Sequence, residues 1–315
     1  MINALQDPPL RRLSVLVPCM RMTFDHLSPR GIFLTADIQT DQPKRVRVYG
    51  SDRRSAHRAL EDLKEGFGHW RLWTAMGWQD IQQRYRRAFI GPFWITISMG
   101  ILVVALGVIY AGLFRIETAV FLPHIATGFI VWFYFSSSIN DATAAFIDAE
   151  GIIKDGGRPL SLHILRVCYR NLIIAGHNVA VMIAVYAWQP KLLTVNILYL
   201  IPGLIFFILN ILWISFVIAT LCTRFRDVPP IVSNVVQMLF FVSPVMYKRD
   251  SLPDSLSFVV DYNPVAYLLE ILRSPLQGNA PDLTDFVVVI GLSIAGSLFA
   301  FRFFQVTRAR VAYWL

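Results

Sequence analysis

The sequence contains few charged residues and few cysteines for its length. Of its 315 residues, 16% are Asp, Glu, Lys or Arg, whereas soluble domains carry about 25%. The three cysteines, Cys19, Cys168 and Cys222, lie far apart and form no CxxC pair, so neither a zinc site nor a disulfide framework is predicted. This composition excludes a disordered chain, a secreted disulfide scaffold and an ordinary soluble enzyme.

The sequence also lacks the common nucleotide-binding and catalytic motifs. It has no phosphate-binding loop of the GxxxxGK type, no HExxH and no GxSxG. No acidic residue falls in the middle of an apolar run, which argues against an ion-coupled carrier. His177 lies within such a run, and we interpret it as a packing residue. We therefore predict a chain that is not an enzyme and holds no cofactor or metal of its own.

The charges that are present cluster near the N-terminus. Residues 1–91 hold 15 Lys/Arg and 9 Asp/Glu of a total of 29 and 21. The apolar run Leu13–Met20 is too short for the core of a cleavable signal. We predict a polar, partly disordered cytoplasmic extension over 1–66, an amphipathic helix over 67–91 and a membrane domain over 92–315. The net charge of +8 then reflects basic cytoplasmic loops, not nucleic-acid binding.

The membrane domain contains six apolar runs. A helix needs about 20 such residues to cross a hydrocarbon core of about 30 Å. The sequence therefore predicts an all-α integral membrane protein with six spans. These are Pro92–Phe114, Phe121–Asn140, Leu172–Trp188, Ile197–Cys222, Val228–Tyr247 and Phe286–Phe301.

The basic residues between these runs predict the orientation. With a cytoplasmic N-terminus, the inside segments carry 24 of the 29 Lys/Arg and the outside segments carry five. Arg84, Arg86 and Arg87 directly precede the first span. Because basic residues collect in cytoplasmic loops, we expect both termini to lie inside.

Three segments outside the spans have helical patterns. Residues 70–89 place a tryptophan-rich face opposite an Arg/Gln face, as in a helix that lies in the headgroup layer. A short amphipathic helix is predicted around 142–154, ending at Gly156-Gly157. Asn263-Pro264 has the form of a helix start, which predicts a short re-entrant or interfacial helix before the last span.

From about Phe67 to the C-terminus, the sequence resembles the permease subunit of ABC-type polysaccharide exporters, the O-antigen and capsule exporters of Gram-negative bacteria. Several segments in the same order carry this resemblance. They are residues 78–87 (WQDIQQRYRR), 91–94 (GPFW), 149–154 (AEGIIK), 224–231 (RFRDVPPI), 243–246 (SPVM) and 310–315 (RVAYWL). The sequence departs from the family in its long N-terminal extension and in Gly156-Gly157.

The resemblance implies a homodimeric channel in the bacterial inner membrane. A separate ATPase dimer would bind ATP and Mg²⁺ on the cytoplasmic side, and the cargo would be a polysaccharide on an undecaprenyl-diphosphate carrier. The family's interface helix falls on residues 70–89, its coupling helix on 142–157 and its outer gate on 258–278.

The candidate functional residues follow from these assignments. The candidates for docking to the ATPase are Arg84, Arg86 and Arg87. The candidates for coupling hydrolysis to transport are Asp148, Glu150 and Lys154. Further candidates in the next cytoplasmic loop are Arg224, Arg226 and Asp227. The outer gate falls on Tyr262, Asn263, Pro264 and Glu270. Because sugar rings stack on aromatic faces, the candidate channel residues are Tyr110, Trp132 and Tyr134.

Two alternatives remain open on the sequence. One is an ABC permease for another cargo, such as a teichoic-acid-like polymer or a small molecule, since no residue pattern encodes sugar recognition. The other is a multi-span enzyme acting on lipid-linked sugar. Its acidic cluster would be Asp141, Asp148, Glu150 and Asp155, which fall in the loop assigned to coupling.

Overall fold

The computed structural model describes residues 56–86, 93–156, 158–249, 253, 255 and 257–315. Within these ranges the chain is helical and contains no β-strand. The α-helices are α1 (Ala56–Gly68), α2 (Trp70–Tyr85), α3 (Phe93–Phe114), α4 (Thr118–Ala142), α5 (Glu150–Lys154), α6 (Ser161–Trp188), α7 (Leu200–Arg224), α8 (Val228–Val242), α9 (Ser257–Asp261), α10 (Pro264–Leu276) and α11 (Leu283–Trp314). Short 3-10 helices at Pro190–Leu192 and Val195–Tyr199 join α6 to α7.

Five of these helices are long and apolar enough to cross a membrane: α3, α4, α6, α7 and α11. The protein is therefore a multi-pass membrane protein. Two helices extend beyond the predicted spans by more than ten residues at one end, because α6 begins at Ser161 and α11 continues to Trp314. These extra turns carry polar residues and lie beyond the apolar runs.

The fifth predicted span, Val228–Tyr247, is shorter in the structure. Helix α8 has 15 residues, which corresponds to about 22 Å at 1.5 Å per residue, less than a hydrocarbon core of about 30 Å. The helix ends because Ser243 adopts an extended conformation with ψ of 146°, the geometry that a following proline favours. The number of spans that length alone establishes is thus five.

Helix α4 forms the centre of the bundle and is the most buried of the long helices. Its aromatic side chains pack against α7 and α8: the rings of Tyr134 and Phe207 are 5.5 Å apart, and those of Trp132 and Phe240 are 5.4 Å apart. Of the four consecutive aromatic residues 132–135, Trp132, Tyr134 and Phe135 are therefore core residues, whereas Phe133 is exposed.

The helix predicted before the first span is present as α2, but it packs on the protein itself. Trp73 contacts the ring of Tyr169 on α6 edge to face at 5.4 Å. Gly77 lies so close to α6 that a Cβ atom there would be 2.9 Å from Tyr169. Trp70 and Trp78, on the same predicted face, remain exposed.

Part of the predicted polar extension is also helical. Helix α1 lies within residues 1–66 for most of its length and packs against α6 and α11. Its buried residues are Ala59, Asp62 and Gly66, spaced three and four apart as on one face of a helix. The folded domain therefore includes residues from Ala56 onward.

The segment before α11 begins as the sequence predicts. The side chain of Asn263 caps α10, since its Oδ1 accepts a hydrogen bond from the Val265 N–H at 3.0 Å, and Pro264 occupies the first helical position. The Nδ2 of Asn263 also donates to Ser243 Oγ at 2.9 Å. The cap thereby connects α10 to the end of α8.

Candidate functional sites at the cytoplasmic face and between the spans

A network of charged side chains connects α2 to α6 and α4. Asp80 on α2 accepts hydrogen bonds from the Nε and Nη2 atoms of Arg166 in a bidentate pair. Asp80 also lies 3.3 Å from Nη1 of Arg170. Bidentate arginine–carboxylate pairs are among the strongest polar contacts in proteins, so this network fixes the position of α2 on the bundle.

Arg170 extends the network to the end of α4. Its Nη2 donates to Asp141 Oδ2 at 2.7 Å, and Asn171 Nδ2 donates to the same oxygen at 3.0 Å. Arg84, at the end of α2, lies 3.9 Å from the other oxygen of Asp141. Arg84 thus faces the charge network of its own chain, which the sequence pattern did not indicate.

The segment between α4 and α6 differs from the predicted helix around 142–154. Residues 143–149 form turns, and the α-helix covers only Glu150–Lys154. The turns bury Phe146 and Ala149 against α7 and α11, and these contacts replace a regular helix. The helix ends before Gly156, which has a φ of +74°, a conformation that glycine adopts readily.

The charged side chains of this segment face outward. Asp148 is exposed, and Lys154 Nζ donates to Glu150 Oε1 within one helical turn. The hydrogen bond and the charge of Lys154 lower the pKa of Glu150, and the nearby Arg226 lowers this pKa further. The loop that contains Arg226 therefore lies at the same end of the bundle as α5.

The loop between α7 and α8 is anchored by Arg224. Its guanidinium lies 5.1 Å from the ring of Phe225 and 5.2 Å from the ring of Trp314, as in cation–π contacts. Arg226 and Asp227 remain exposed. The C-terminal end of α11 and this loop are thus neighbours.

A cavity of about 380 Å³ lies between α3, α4 and α6. Its lining includes Arg84, Trp94, Ser98, Phe133, Asn171 and Asn178. The side-chain oxygens of Asn171 and Asn178 are buried and accept no hydrogen bond within the described part of the chain. Both oxygens are covered by protein atoms, and an unpaired buried acceptor of this kind costs about 1–3 kcal/mol.

Comparison with known proteins agrees with this architecture. The sequence pattern of the ABC-2 type transporter family matches residues 71–276, well over half of the chain. The chain belongs to the ABC-2 type transporter family.

Similar curated proteins include three O-antigen export system permease proteins named RfbA. Two are from Klebsiella pneumoniae: one is 27% identical over 252 residues and the other 24% identical over 245 residues, and each match covers 72% of this chain and 92% of the relative. The third, from Myxococcus xanthus, is 22% identical over 238 residues, covering 71% of this chain and 89% of the relative. These relatives are permease subunits, which are transport components and not enzymes.

The structure places the predicted cytoplasmic residues of this ABC-2 permease at one end of the bundle. Arg86 is exposed at the end of α2, whereas Arg87 lies outside the described residues. Of the residues predicted for coupling, Asp148 is exposed and Glu150 pairs with Lys154, and Arg226 approaches Glu150.

The outer-gate residues differ from one another in exposure. Tyr262 is 86% exposed, whereas Asn263 is buried as the cap of α10, which begins at Pro264. Glu270 accepts hydrogen bonds from Ser274 Oγ at 2.7 Å and from Arg273 at 3.4 Å. Within this group Tyr262 and Pro264 are exposed, Glu270 is half-buried and Asn263 is buried.

The candidate channel aromatics are largely buried within the subunit. Trp132 is 5% and Tyr134 is 4% exposed, because α4 is surrounded by other helices. Neither therefore lies on an outer wall of the subunit, although Tyr134 reaches the cavity. Tyr110 is partly buried against α4. Trp94, Asn171 and Asn178 were missed as cavity residues, because nothing in their local sequence distinguishes them from other helical residues.

Proposed function

We propose that the chain is the transmembrane subunit of an ATP-driven exporter of bacterial surface polysaccharide. The observation that carries this proposal is the similarity to O-antigen export permeases over 92% of the length of two of them. A match to one short segment would support membership of a family, whereas a match over nearly the whole relative supports the same task. The cargo is a polysaccharide of the O-antigen or capsule type, attached to undecaprenyl diphosphate.

In this proposal two copies of the chain form the channel in the inner membrane, and a separate ATPase dimer supplies the energy. The absence of a phosphate-binding loop from the sequence favours such a division of labour. The chain crosses the membrane six times with both termini in the cytoplasm, and α8 is the fifth of these spans in chain order. The basic residues before α3 favour this orientation.

The ATPase docks on the exposed charges at the cytoplasmic end. Arg84, Arg86 and Arg87 form the proposed docking group, and we expect Arg86 to contribute most because Arg84 lies beside Asp141. Changing Arg86 and Arg87 to glutamate should reduce co-purification of the ATPase while leaving membrane insertion intact. Lys191→Glu, in the segment after α6, is the matched control. Undiminished co-purification would exclude this docking role.

Coupling of hydrolysis to export falls on the segment around α5. The Glu150–Lys154 pair orients an acidic and a basic group toward the cytoplasm, where a moving ATPase surface could engage them. We expect Glu150→Lys to leave ATP hydrolysis in the complex while export stops. Wild-type export by this variant would exclude the assignment.

The segment of Tyr262, Asn263, Pro264 and Glu270 is the proposed outer gate. Asn263, the cap of α10, donates a hydrogen bond to Ser243 at the end of α8. A movement of α8 would therefore be transmitted directly to α10. Asn263→Ala should therefore loosen the gate, which is measured as faster labelling by an impermeant thiol reagent at Val265→Cys, where the native side chain is 6% exposed. Labelling no faster than in a chain with the native Asn263 would refute this link.

The experiment that tests export itself uses inside-out membrane vesicles. Vesicles that contain the chain and its ATPase should accumulate lipid-linked glycan in a glycosidase-protected lumen, and only when ATP is present. ATP-dependent protection of another cargo, with none of the glycan, would redirect the proposal to a different ABC substrate.

A further inference from the structure

Residues 190–199, the α6–α7 loop, present apolar side chains to the outside of the protein. Leu193, Val195 and Leu198 are 57%, 78% and 61% exposed. Neighbouring exposed apolar side chains of this kind mark a surface that contacts a membrane or another protein. The loop therefore has a partner outside the chain.

The polar side chains of the same loop point inward, onto the turn that follows α10. Thr194 Oγ1 donates a hydrogen bond to the carbonyl oxygen of Gly278 at 2.8 Å, and Asn196 Nδ2 donates to the same oxygen at 2.9 Å. Gly278 has a φ of +83°, and a Cβ atom there would lie 2.6 Å from the carbonyl oxygen of Leu192. The loop is thus packed closely on the end of α10, with its polar groups inside and its apolar groups outside, the reverse of a loop in water.

The length of α7 determines how deep this loop lies. Helix α7 has 25 residues, which corresponds to about 38 Å at 1.5 Å per residue. The hydrocarbon core is about 30 Å thick and the whole bilayer about 40–45 Å. Because Arg224 at the far end of α7 stays outside the hydrocarbon core, the first residues of α7 reach the opposite headgroup layer. Residues 195–199 directly precede them.

The surroundings of the loop favour lipid over a second protein as the partner. Trp188 and Tyr199, at the two ends of the loop, are exposed, and these aromatic residues collect at membrane–water interfaces. Lys191 is the only charged residue between them, and a lysine side chain can extend from an apolar surface to the headgroups. The apolar surface continues along α7 through the exposed Ile201 and Ile205, in a helix that is long enough to cross the membrane.

We propose that the α6–α7 loop is a membrane anchor. Leu193, Val195 and Leu198 insert into the headgroup layer of the phospholipid bilayer, while Thr194 and Asn196 hold the end of α10 at that depth. The anchor requires only that the chain spans a membrane, so it goes beyond the proposed export function and is independent of the cargo. In the orientation proposed above, it lies in the outer leaflet of the inner membrane.

Fluorescence quenching tests the anchor in the full-length protein. In a background with Cys19→Ser, where Cys168 and Cys222 are buried, the fluorophore NBD is attached at Val195→Cys. The vesicles contain phosphatidylethanolamine, phosphatidylglycerol and a phospholipid with a nitroxide near the headgroup end of its acyl chain. The nitroxide should quench the label, and the emission should shift to shorter wavelength. Asn279→Cys, at an exposed position beside Gly278, is the matched control and should show neither change.

A second experiment tests the connection to α10. Thr194→Val combined with Asn196→Leu removes both donors to Gly278, but it leaves the apolar side chains in place. Quenching at Val195→Cys should therefore persist, whereas an impermeant maleimide should label Leu276→Cys, where the native side chain is 6% exposed, faster than in the chain with both donors. Thr284→Val, at an exposed position of α11, is the matched control and should leave this labelling unchanged.

Three results would overturn the anchor. Quenching at Val195→Cys no stronger than at Asn279→Cys would place the loop in water. Stronger quenching by a nitroxide at the end of the acyl chain would place it in the hydrocarbon core. Absence of lipid quenching, together with cross-linking of Val195→Cys between two copies, would assign the surface to a second subunit. Unchanged labelling of Leu276→Cys in the double variant would refute the connection to α10, and none of these results would bear on export.

Discussion

Asp62 on α1 is predicted to be one of the strongest single contributors to the stability of the end of the bundle that α1 and α2 form. Its carboxylate is 1% exposed and accepts hydrogen bonds from the N–H groups of Leu160 at 3.2 Å and Ser161 at 3.0 Å. It also accepts from Ser161 Oγ at 2.9 Å and from Arg308 Nε at 2.9 Å. Asp62 therefore caps the start of α6 from a different helix and joins it to α11.

The magnitude follows from these contacts. Removing one partner of a buried ion pair costs about 3–5 kcal/mol, and loss of a helix cap costs about 1 kcal/mol. Because the Arg308 side chain is 18% exposed, water can replace part of its lost contact, and we therefore take about 3 kcal/mol for Asp62→Ala. At about 2 °C per kcal/mol for a chain of this size, the melting temperature should fall by roughly 6 °C.

The assay is thermal denaturation of the purified protein in detergent at a fixed heating rate, since unfolding of membrane proteins is seldom reversible. Glu61→Ala is the matched control, because the Glu61 side chain is 53% exposed and pairs with His57, which is also exposed, on the surface of α1. Such a surface pair is worth at most about 1 kcal/mol. Equal melting temperatures for Asp62→Ala and the wild type would refute the reasoning, as would equal losses in the two variants.

Two further predictions concern the same end of the bundle. Gly66→Ala should destabilise the fold by about 1–3 kcal/mol, because its Cβ would lie 2.0 Å from Ser161 Oγ, whereas Gly68→Ala meets open space and should leave the melting temperature unchanged. Asp80→Ala removes the bidentate partner of Arg166, so trypsin should cleave α2 about tenfold faster. Gln79→Ala, at the exposed neighbouring position, should be cleaved at the wild-type rate. Equal cleavage of both variants would contradict the role of Asp80.

The spans were largely predictable because they depend on composition over about 20 residues. Each long apolar run appears as a helix, and the start of α10 was predictable because Asn263 and Pro264 act locally. The end of α8 was harder to predict from the sequence. A run of apolar residues extends to Tyr247, but the geometry before Pro244 stops the helix at Val242.

Contacts between distant segments could not be predicted in this way. Asp62 lies 98 residues from Leu160, and nothing near Asp62 in the sequence indicates that it will be buried. The stacking of sugars on aromatic rings likewise placed Trp132 in the set of channel candidates, whereas the packing of α7 and α8 around α4 buries it.

The cavity between α3, α4 and α6 also depends on contacts between segments that are distant in the sequence. Asn171 and Asn178 are seven positions apart on α6, so they share one face, yet only the approach of α3 and α4 turns that face into a pocket. Arg84 was recognised from the sequence as a functional candidate. Its orientation toward Asp141 depends on the tertiary position of α2.

The most direct test of polysaccharide export is the fate of the glycan in a strain that lacks this chain. The account predicts that full-length glycan accumulates inside the cell on its lipid carrier and disappears from the surface, and that the wild-type gene restores it. Truncated or absent glycan with no internal pool would place the chain in synthesis and contradict the account. Unchanged surface glycan would assign the permease to another cargo.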